Sequence, residues 1–407
     1  MWDRREEVWS RGGGRASEQP ESIEGRRCVM TRPGTTRRVH FLLPGATTRP
    51  VGGYKVVYEY ANALAEQGVD VTIWHSQIFN APGVGLRRAL RRLRLAAGWA
   101  VRVRSTSGQY AGPTWFTLDS RIRVRSGALM PRMPLGRGDL VIATAVQTFR
   151  SAAQQARRAG AISLGLIQHF ETWASPAQAI RSDWARVDER IVIAPWLADE
   201  CAAAGLSSVL LPNALDASSF PPGSPLPDRR KEVLSLLSPH EYKRPDVVTE
   251  ALEEIVRRRP DITVRAFGQD PQMPIASDSI SYSPNPSPDQ LRGLYAATRV
   301  YLCGSDAEGW HLPPAEATLC GAAVVSTDIG GVRASMADDA LYVPAGDAVG
   351  LAELAIRVVD APEEAQLRVE RARRRLLETT YEGNASRLLQ IASDVKARKF
   401  SVIGDPS

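Results

Sequence analysis

The chain is poor in cysteine, in histidine and in long apolar runs. Its 407 residues include four cysteines and five histidines, and no two cysteines form a CxxC pair. A disulfide framework and a cysteine–histidine zinc site are therefore both disfavoured, and free thiols in a reducing cytosol are the simple interpretation. No apolar run reaches the ~20 residues that a membrane-spanning helix needs. We expect a cytoplasmic protein.

Length and composition indicate the number of domains but do not select an activity. A chain of 407 residues exceeds what one hydrophobic core usually supports, so two domains are expected. Hydrophobic residues make up 43% and charged residues 24%, as in ordinary globular proteins. The formal charge of +6 suits anionic nucleotides, acidic lipid surfaces and nucleic acid alike, and selects none of them.

The first 30 residues have the composition of a disordered tail. Gly, Ser, Arg and Glu dominate there, and neither an apolar period nor the hydrophobic centre of a signal peptide is present. Met30 stands just before the first convincing strand and is an alternative translation start. We leave residues 1–30 out of the fold prediction.

Strand and helix patterns alternate from residue 38 onward, which predicts an α/β chain with parallel sheets. The predicted strands lie at 39–43, 69–74, 140–143, 162–167 and 190–194 and, in a second series, at 233–237, 262–267, 299–302, 322–325 and 340–343. Two Rossmann-like units in succession would leave a cleft at the carboxyl ends of their strands, where ligands bind.

A proline-dense stretch, 195–230, predicts the connection between the two units. We accordingly expect a first Rossmann-like domain at 31–212 and a second at 213–378. Two helices are predicted near the end of the chain, at 363–379 and 384–397. The segment 379–407 is expected to return to the first domain.

The most informative motif is the segment 308–317 (EGWHLPPAEA), which separates Glu308 from Glu316 by eight positions. Glu308 is expected in a loop beside free backbone amides, and Glu316 about one turn inside the helix that follows. Pro313 and Pro314 suit a first helical turn but donate no N–H, so the free amides must come from residues 309–312. Amides at a helix start attract phosphate, and carboxylates accept hydrogen bonds from sugar hydroxyls. The pattern suits a nucleoside diphosphate sugar.

Two further segments add groups suited to such a ligand. Gly52 and Gly53 stand in a loop between the first strand and a helix, where amides without side chains can approach an anion closely. Lys243 and Arg244 follow the first strand of the second unit, from which a cation can neutralise a diphosphate. A tight turn and a solvated basic pair are the alternative interpretations.

Together these segments resemble the family 4 retaining glycosyltransferases of the GT-B fold, the group 1 enzymes that include glycogen-synthase-like and rhamnosyltransferase-like members. The segment 308–316 looks like the family's E-x7-E signature, and Gly52-Gly53 looks like its glycine-rich loop. The segment 212–216 (PNALD) looks like its interdomain PNGVD segment, and Lys243 like its phosphate-binding lysine. The resemblance covers residues ~37 to ~395, with the four elements in the family's order.

The resemblance implies roles for individual residues. Glu316 would hold the ribose of the nucleotide, and Glu308 would contact the donor sugar. His169, which follows a strong first-domain strand, is a third catalytic candidate, although Gln168 is an equally good match to the family's position. The implied catalytic residues are Glu308, Lys243 and His169; the implied donor-binding residues are Gly52, Gly53, Lys243, Arg244, Gly309, Trp310, His311, Leu312 and Glu316.

The chain also departs from the family pattern. Relatives usually carry Gly-Arg before the lysine where this chain has Leu237-Ser238, so a second phosphate-binding cation must come from elsewhere, with Arg244 the nearest. Many relatives have a second glycine where this chain has His311, which would narrow the sugar pocket. The stretch 168–171 (QHFE) is similar to a Gln-x-x-Glu segment of GT-B rhamnosyltransferases.

The segment 86–104 begins as a basic amphipathic pattern, with Leu and Ala on one helical face and arginines on the others. Such a helix is able to lie on an anionic membrane surface, and some relatives with lipid-linked acceptors use one. A surface helix packed through its leucines is the alternative.

The resemblance implies a metal-independent transfer of sugar from a nucleotide donor to a glycan, lipid-linked or small-molecule acceptor, in cell-envelope or exopolysaccharide synthesis. It implies no cofactor and no nucleic-acid partner. Three alternatives stay open: a GT-B nucleotide-sugar epimerase, an inverting GT-B transferase and a non-catalytic GT-B partner subunit. A nicotinamide-linked enzyme is disfavoured, because the loop 45–53 lacks the GxGxxG spacing.

Overall fold

The computed structural model describes residues 38–78, 112–273 and 277–401, and within them two parallel sheets. The first has seven strands in the order β3-β2-β1-β4-β5-β6-β7. Its strands are β1 (Arg38–Pro44), β2 (Asp70–Ile78), β3 (Arg123–Leu129), β4 (Leu140–Ala143), β5 (Ile162–Ile167), β6 (Glu189–Val192) and β7 (Val209–Leu210). The helices between them are α1 (Gly52–Glu66), α2 (Val146–Ala159), α3 (Ala177–Trp184) and α4 (Pro195–Ala203).

The second sheet has six strands among the described residues, in the order β10-β9-β8-β11-β12-β13. These strands are β8 (Glu232–Leu236), β9 (Thr263–Gly268), β10 (Ile280–Pro284), β11 (Val300–Cys303), β12 (Ala323–Thr327) and β13 (Leu341–Val343). The helices that accompany and follow them are α5 (Pro245–Arg258), α6 (Pro288–Ala297), α7 (Leu312–Leu319), α8 (Gly330–Met336), α9 (Ala348–Asp360), α10 (Pro362–Leu377) and α11 (Tyr381–Ser401).

The central strands are buried on both faces. Every residue of β4, β5, β11 and β12 is buried, which is why these strands read as short continuous apolar runs in the sequence. Helix α1 covers the first sheet with an apolar stripe that includes Val57, Ala61 and Leu64. Strand order reverses direction beside β1 in the first sheet and beside β8 in the second, and ligands bind at such points in open α/β sheets.

The final helix leaves the second sheet and packs against the first half of the chain. The Tyr381 ring lies edge-on to Tyr60 of α1 at 5.7 Å. The Asn384 amide donates a hydrogen bond to the Pro212 carbonyl at 2.7 Å. Near the end of α11, Arg398 forms an ion pair of 2.8 Å with Glu189 of β6.

Several predicted boundaries were wrong. Gly52 and Gly53 begin α1 instead of preceding it. The proline-dense stretch 195–230 is only partly a connection, because it contains α4 and β7, and β7 pairs with β6 in the first sheet. Strands β3, β7 and β10 were not predicted, since they are short or mixed in polarity.

The last two helices are shifted relative to the predicted 363–379 and 384–397, and the break between them falls at 378–380. Among the described helices, none combines the length and apolar character that crossing a bilayer requires. The segment 86–104, proposed above for membrane contact, lies outside the described residues.

Candidate active site

The carboxyl ends of β8 and β11 bring Lys243 and Glu308 together. Lys243 ends a short helical turn, Glu241–Lys243, after β8, and Glu308 lies in the loop between β11 and α7. The Lys243 Nζ lies 2.5 Å from Glu308 Oε1, and both side chains are largely buried. The Ser305 hydroxyl donates a second hydrogen bond to the same oxygen at 3.0 Å. The loop position expected for Glu308 and the helical position expected for Glu316 are both found.

The groups around Glu308 hold its pKa low. Burial alone would raise its pKa, but His311, Lys243 and the hydroxyl of Ser305 outweigh burial and hold the pKa below its ordinary value. Burial also lowers the pKa of His311 to about 3, so His311 is neutral at neutral pH and Lys243 is the lasting cationic partner. Glu308 raises the pKa of Lys243 against the opposing effect of burial. The site therefore holds a desolvated ammonium–carboxylate pair.

Glu316 is neutralised by a lysine from the other half of the chain. It lies inside α7, and its Oε1 is 2.9 Å from the Nζ of Lys55 in α1, across a sequence separation of 261 residues. The Tyr295 hydroxyl, which is fully buried, lies 3.3 Å from Oε2. Burial opposes the charge of Lys55, yet Glu316 outweighs burial and raises the pKa of Lys55. The Lys55 ammonium also lies 5.0 Å from the centre of the Phe220 ring.

Gly309 lets the two halves approach closely. A Cβ added at Gly309 would overlap the Gln168 carbonyl oxygen, which follows β5 of the first sheet. The Trp196 indole of α4 donates a hydrogen bond of 3.0 Å to the Gly309 carbonyl. Only a glycine fits this contact, because any side chain would collide with backbone. The motif 308–316 therefore lies at the contact between the two domains.

Gly52 and Gly53 lie on the opposite wall of the same contact. The Gln168 amide donates to the Gly53 carbonyl at 3.1 Å. A Cβ on Gly52 would lie 3.4 Å from the Leu312 side chain, at the first residue of α7. The starts of α1 and α7 are therefore close together. The first amides of α1 have no helical partners, whereas Pro313 and Pro314 leave α7 only the amide of Leu312 in its first three positions.

His169 lies between the two halves, next to the carboxylate loop. Its ring is 5.7 Å from the Trp196 ring and 6.0 Å from the Tyr242 ring. Both imidazole nitrogens are buried. Neither makes a hydrogen bond of good geometry among the described residues, although the Phe170 backbone lies close enough to oppose the lowering of the His169 pKa. Burial lowers the pKa of His169, which favours the neutral form with one donor and one acceptor nitrogen. Gln168, the other match to the family's position, donates its amide hydrogen bond to the Gly53 carbonyl.

The remaining predicted donor-binding residues divide into two groups. Trp310 and His311 are buried in the carboxylate loop; His311 Nδ1 is 3.2 Å from the Cys303 sulfur, and the Trp310 indole N–H has no partner among the described residues. Arg244 is directed to other acidic groups: it pairs with Asp246 at 2.7 Å and with Asp306 at 3.0 Å. Arg244, expected to replace the missing arginine at Ser238, is therefore paired with two carboxylates in this structure.

Sequence reasoning missed Lys55, Trp196 and Ser305. Lys55 had a usable signal, because it follows the glycine pair within one helical turn. Trp196 had none, since nothing local to α4 indicates that its indole reaches residue 309. Ser305 is close to Glu308 in sequence but belongs to a loop whose path cannot be read from spacing.

Part of the chain matches a known protein family. Residues 231–361 match the family model of the glycosyl transferases group 1. The matched segment contains Lys243, Glu308 and Glu316, and it spans β8 to the end of α9. The chain has no significant match among curated protein sequences.

Solved structures show the fold. Sucrose-phosphate synthase from Thermosynechococcus elongatus is 15% identical, with a TM-score of 0.67 over 89% of this chain and all of the other. HepE from Anabaena, solved with UDP and glucose, is 12% identical, with a TM-score of 0.65 over 88% of this chain and all of the other. TarM from S. aureus, solved with UDP, is 10% identical, with a TM-score of 0.63 over 88% of this chain and all of the other. The protein has the GT-B fold, with two Rossmann-like domains.

Proposed function

We propose that the protein is a metal-independent, retaining glycosyltransferase that uses a nucleotide-diphosphate sugar as its donor. The observation that carries the proposal is the pairing of both carboxylates of the E-x7-E motif with lysines, at the contact between two Rossmann-like domains. The group 1 match over the second domain and the GT-B fold support glycosyl transfer. Family 4 membership and retention rest on the motif resemblance.

In the proposed donor site, Glu316 accepts hydrogen bonds from the ribose and Glu308 from the sugar. A bound diphosphate adds negative charge, and Lys243 is the nearest cation to the carboxylate that would face the sugar. We expect the Lys243 ammonium to donate hydrogen bonds to both Glu308 and the leaving phosphate. A preorganised cation in a water-poor site stabilises the negative charge that develops on that phosphate. The amides at the start of α1 and in the loop 309–312 are proposed as further donors.

The same geometry bears on retention. Glu308 shares one oxygen with Lys243 and Ser305, and an ammonium-paired carboxylate is a weak nucleophile. We therefore propose same-face substitution assisted by the departing diphosphate instead of a covalent intermediate on Glu308. His169, whose lowered pKa favours the neutral imidazole, is proposed to hydrogen-bond the sugar or the incoming acceptor hydroxyl.

UDP is the first nucleotide to test, because HepE and TarM were solved with it. We expect UDP to bind the wild type in calorimetry and to bind Glu316→Gln at least tenfold more weakly. The matched control is Glu353→Gln, an exposed glutamate on α9. Unchanged UDP affinity in Glu316→Gln, after UDP, GDP, dTDP and ADP have all been tried, would contradict the proposed donor site.

The finer claims have separate tests. Anomeric analysis of the product by NMR distinguishes retention from inversion, and free epimerised nucleotide sugar would identify an epimerase instead. Full activity in excess chelator is expected, and its loss would overturn metal independence. No grouping of three His, Cys, Asp or Glu side chains suited to a metal occurs among the described residues.

Neutral replacement of Arg87, Arg88, Arg91 and Arg92 tests the proposed membrane contact by vesicle binding.

A further inference from the structure

The structure carries one exposed aromatic surface beside the candidate active site. Trp173 follows β5 and is 58% exposed, and it is the one aromatic among the large apolar side chains that are exposed in the described residues. Its ring stacks on Tyr242 of the second domain at 5.5 Å with an interplanar angle of 13°. His240 stacks on the same Tyr242 ring at 5.6 Å and 16°. We call these three rings the aromatic platform.

The aromatic platform is continuous with the catalytic groups. Lys243 Nζ lies 5.5 Å from the centre of the Tyr242 ring. The His169 ring is 4.6 Å from the Trp173 ring, in an edge-on arrangement. Trp173 therefore contacts the His169 ring directly and is separated from Lys243 by the Tyr242 ring alone, on the solvent side of the contact between the domains.

The backbone holds Trp173 in this exposed place. The neighbouring Ala174 N–H bonds the Glu171 carbonyl at 2.9 Å. The Glu171 side chain in turn accepts a hydrogen bond of 2.5 Å from the Val146 N–H at the start of α2. Because this turn keeps the indole in contact with water, Trp173 lacks the stabilising free energy that burial of an aromatic ring normally contributes. A ligand that covers it would recover that burial.

We propose that the aromatic platform is an acceptor subsite that stacks a pyranose ring on Trp173, which makes the acceptor a glycan. The proposal rests on the proposed function. The C–H groups on one face of a pyranose are attracted to the negative face of an aromatic ring. The hydroxyls at its edge need hydrogen-bonding groups, and the exposed His240 imidazole of the aromatic platform carries ring nitrogens of that kind. A lipid chain would need an apolar groove, whereas the surroundings here are imidazole, ammonium and carboxylate groups.

The test uses Trp173→Ala and Trp173→Phe, with Leu367→Ala as the matched control because Leu367 is 59% exposed on α10. Maltose, cellobiose and chitobiose are the sugar probes, and dodecyl phosphate is the lipid-phosphate probe, each with UDP present. Saturation-transfer NMR locates the contacted protons, and titration gives the dissociation constants. UDP affinity is measured in every variant.

We expect at least one disaccharide to bind through its ring C–H protons. Its affinity should fall at least tenfold in Trp173→Ala, less than threefold in Trp173→Phe and not at all in Leu367→Ala, while UDP affinity stays within twofold throughout. Three results would each overturn the proposal. The disaccharide binds Trp173→Ala as tightly as wild type, dodecyl phosphate binds and no sugar does, or wild type binds UDP but no sugar. A parallel loss of UDP affinity in Trp173→Ala would reassign the platform to the nucleobase.

Failure of the proposed function gives a different pattern. In that case no nucleotide binds, or Glu316→Gln has no effect on nucleotide affinity. The platform proposal can thus fail while nucleotide binding, and its dependence on Glu316, remain intact.

Discussion

The two carboxylates of one motif, Glu308 and Glu316, are neutralised in different ways. Glu308 pairs with Lys243 from its own domain, only 65 residues away, and with a hydroxyl from its own loop. Glu316 pairs with Lys55 from the other domain. The first pair can form within the second domain alone, whereas the second pair requires the two domains to be in contact.

This difference separates two tasks that the motif would perform. A pair made within one domain is preorganised whether or not the domains are closed, which suits a group that must stabilise charge during reaction. A pair made across domains forms only when the two domains are in contact. A nucleotide whose ribose hydrogen-bonds Glu316 must therefore compete with Lys55 for that carboxylate. In the proposed function, Lys55 would then turn from Glu316 toward the bound anion. The following predictions test the contrast, from the largest expected effect to the smallest.

Lys243→Met should have the largest effect, because it leaves Glu308 buried without a cation. Removing one partner of a buried pair typically costs about 3–5 kcal/mol of unfolding free energy. We expect a loss of about 3 kcal/mol in urea unfolding and a fall in sugar transfer of about 1,000-fold or more. The double variant Lys243→Met/Glu308→Gln should recover stability but not transfer. A single variant as stable as wild type would show that Glu308 finds another partner.

Gly309→Ala should disrupt the contact between domains and spare the pair within the second domain. The added Cβ would overlap the Gln168 carbonyl, so one domain has to move. We expect a larger radius of gyration in X-ray scattering and a greater loss of transfer than of UDP affinity. Gly293→Ala is the control, since a Cβ there meets nothing within 4 Å. Identical scattering for both variants would mean that closure tolerates the added atom.

Lys55→Met and Glu316→Gln should show a coupling energy that depends on closure. A double-mutant cycle on unfolding free energy is expected to give about 1 kcal/mol, because the lysine is partly exposed. Introducing Gly309→Ala as background should reduce this coupling toward zero. It should leave the coupling between Lys243 and Glu308 unchanged. Equal reduction of both couplings would refute the contrast between the two pairs.

An effect of similar size, which needs no change in the contact between domains, is expected at Glu59 between about pH 4.5 and 7. Glu59 lies on α1 near Lys55, and burial raises its pKa from 4.5 to about 7. A carboxyl with a higher pKa in the folded than in the unfolded state binds more protons when folded, so stability falls as pH rises from about 4.5 to about 7. After allowance for partial exposure, we expect a fall of about 1 kcal/mol, absent in Glu59→Gln. An unchanged pH profile in Glu59→Gln would exclude this residue as the source.

Much of the fold was predictable because it depends on local patterns. Short apolar runs marked the buried strands β4, β5 and β11, which pack on both faces. Strand β3 escaped prediction because its alternation of arginine with small residues suits a sheet edge, where β3 in fact lies. The start of α1 was misplaced, since the glycines that suggested a loop are tolerated in its first turn.

The candidate site was predictable only in part. The positions of Glu308 in a loop and of Glu316 in a helix followed from the two prolines between them. The proposed second cation, Arg244, could not be judged from sequence, because its partner Asp306 follows a different strand. The exposure of Trp173 and its stacking on Tyr242 were likewise invisible, as they join two domains.

The sequence by itself determined the two-domain α/β plan and the spacing of the two carboxylates, because helical and strand periods and helix starts are properties of neighbouring residues. Tertiary structure decided which cation each carboxylate meets. Lys243 reaches Glu308 because β8 and β11 are adjacent in one sheet and end at the same edge. Lys55 reaches Glu316 because the two domains approach closely at Gly309, where the absence of a side chain leaves room for the Gln168 carbonyl oxygen. Such contacts arise from packing of distant segments, which no local pattern encodes.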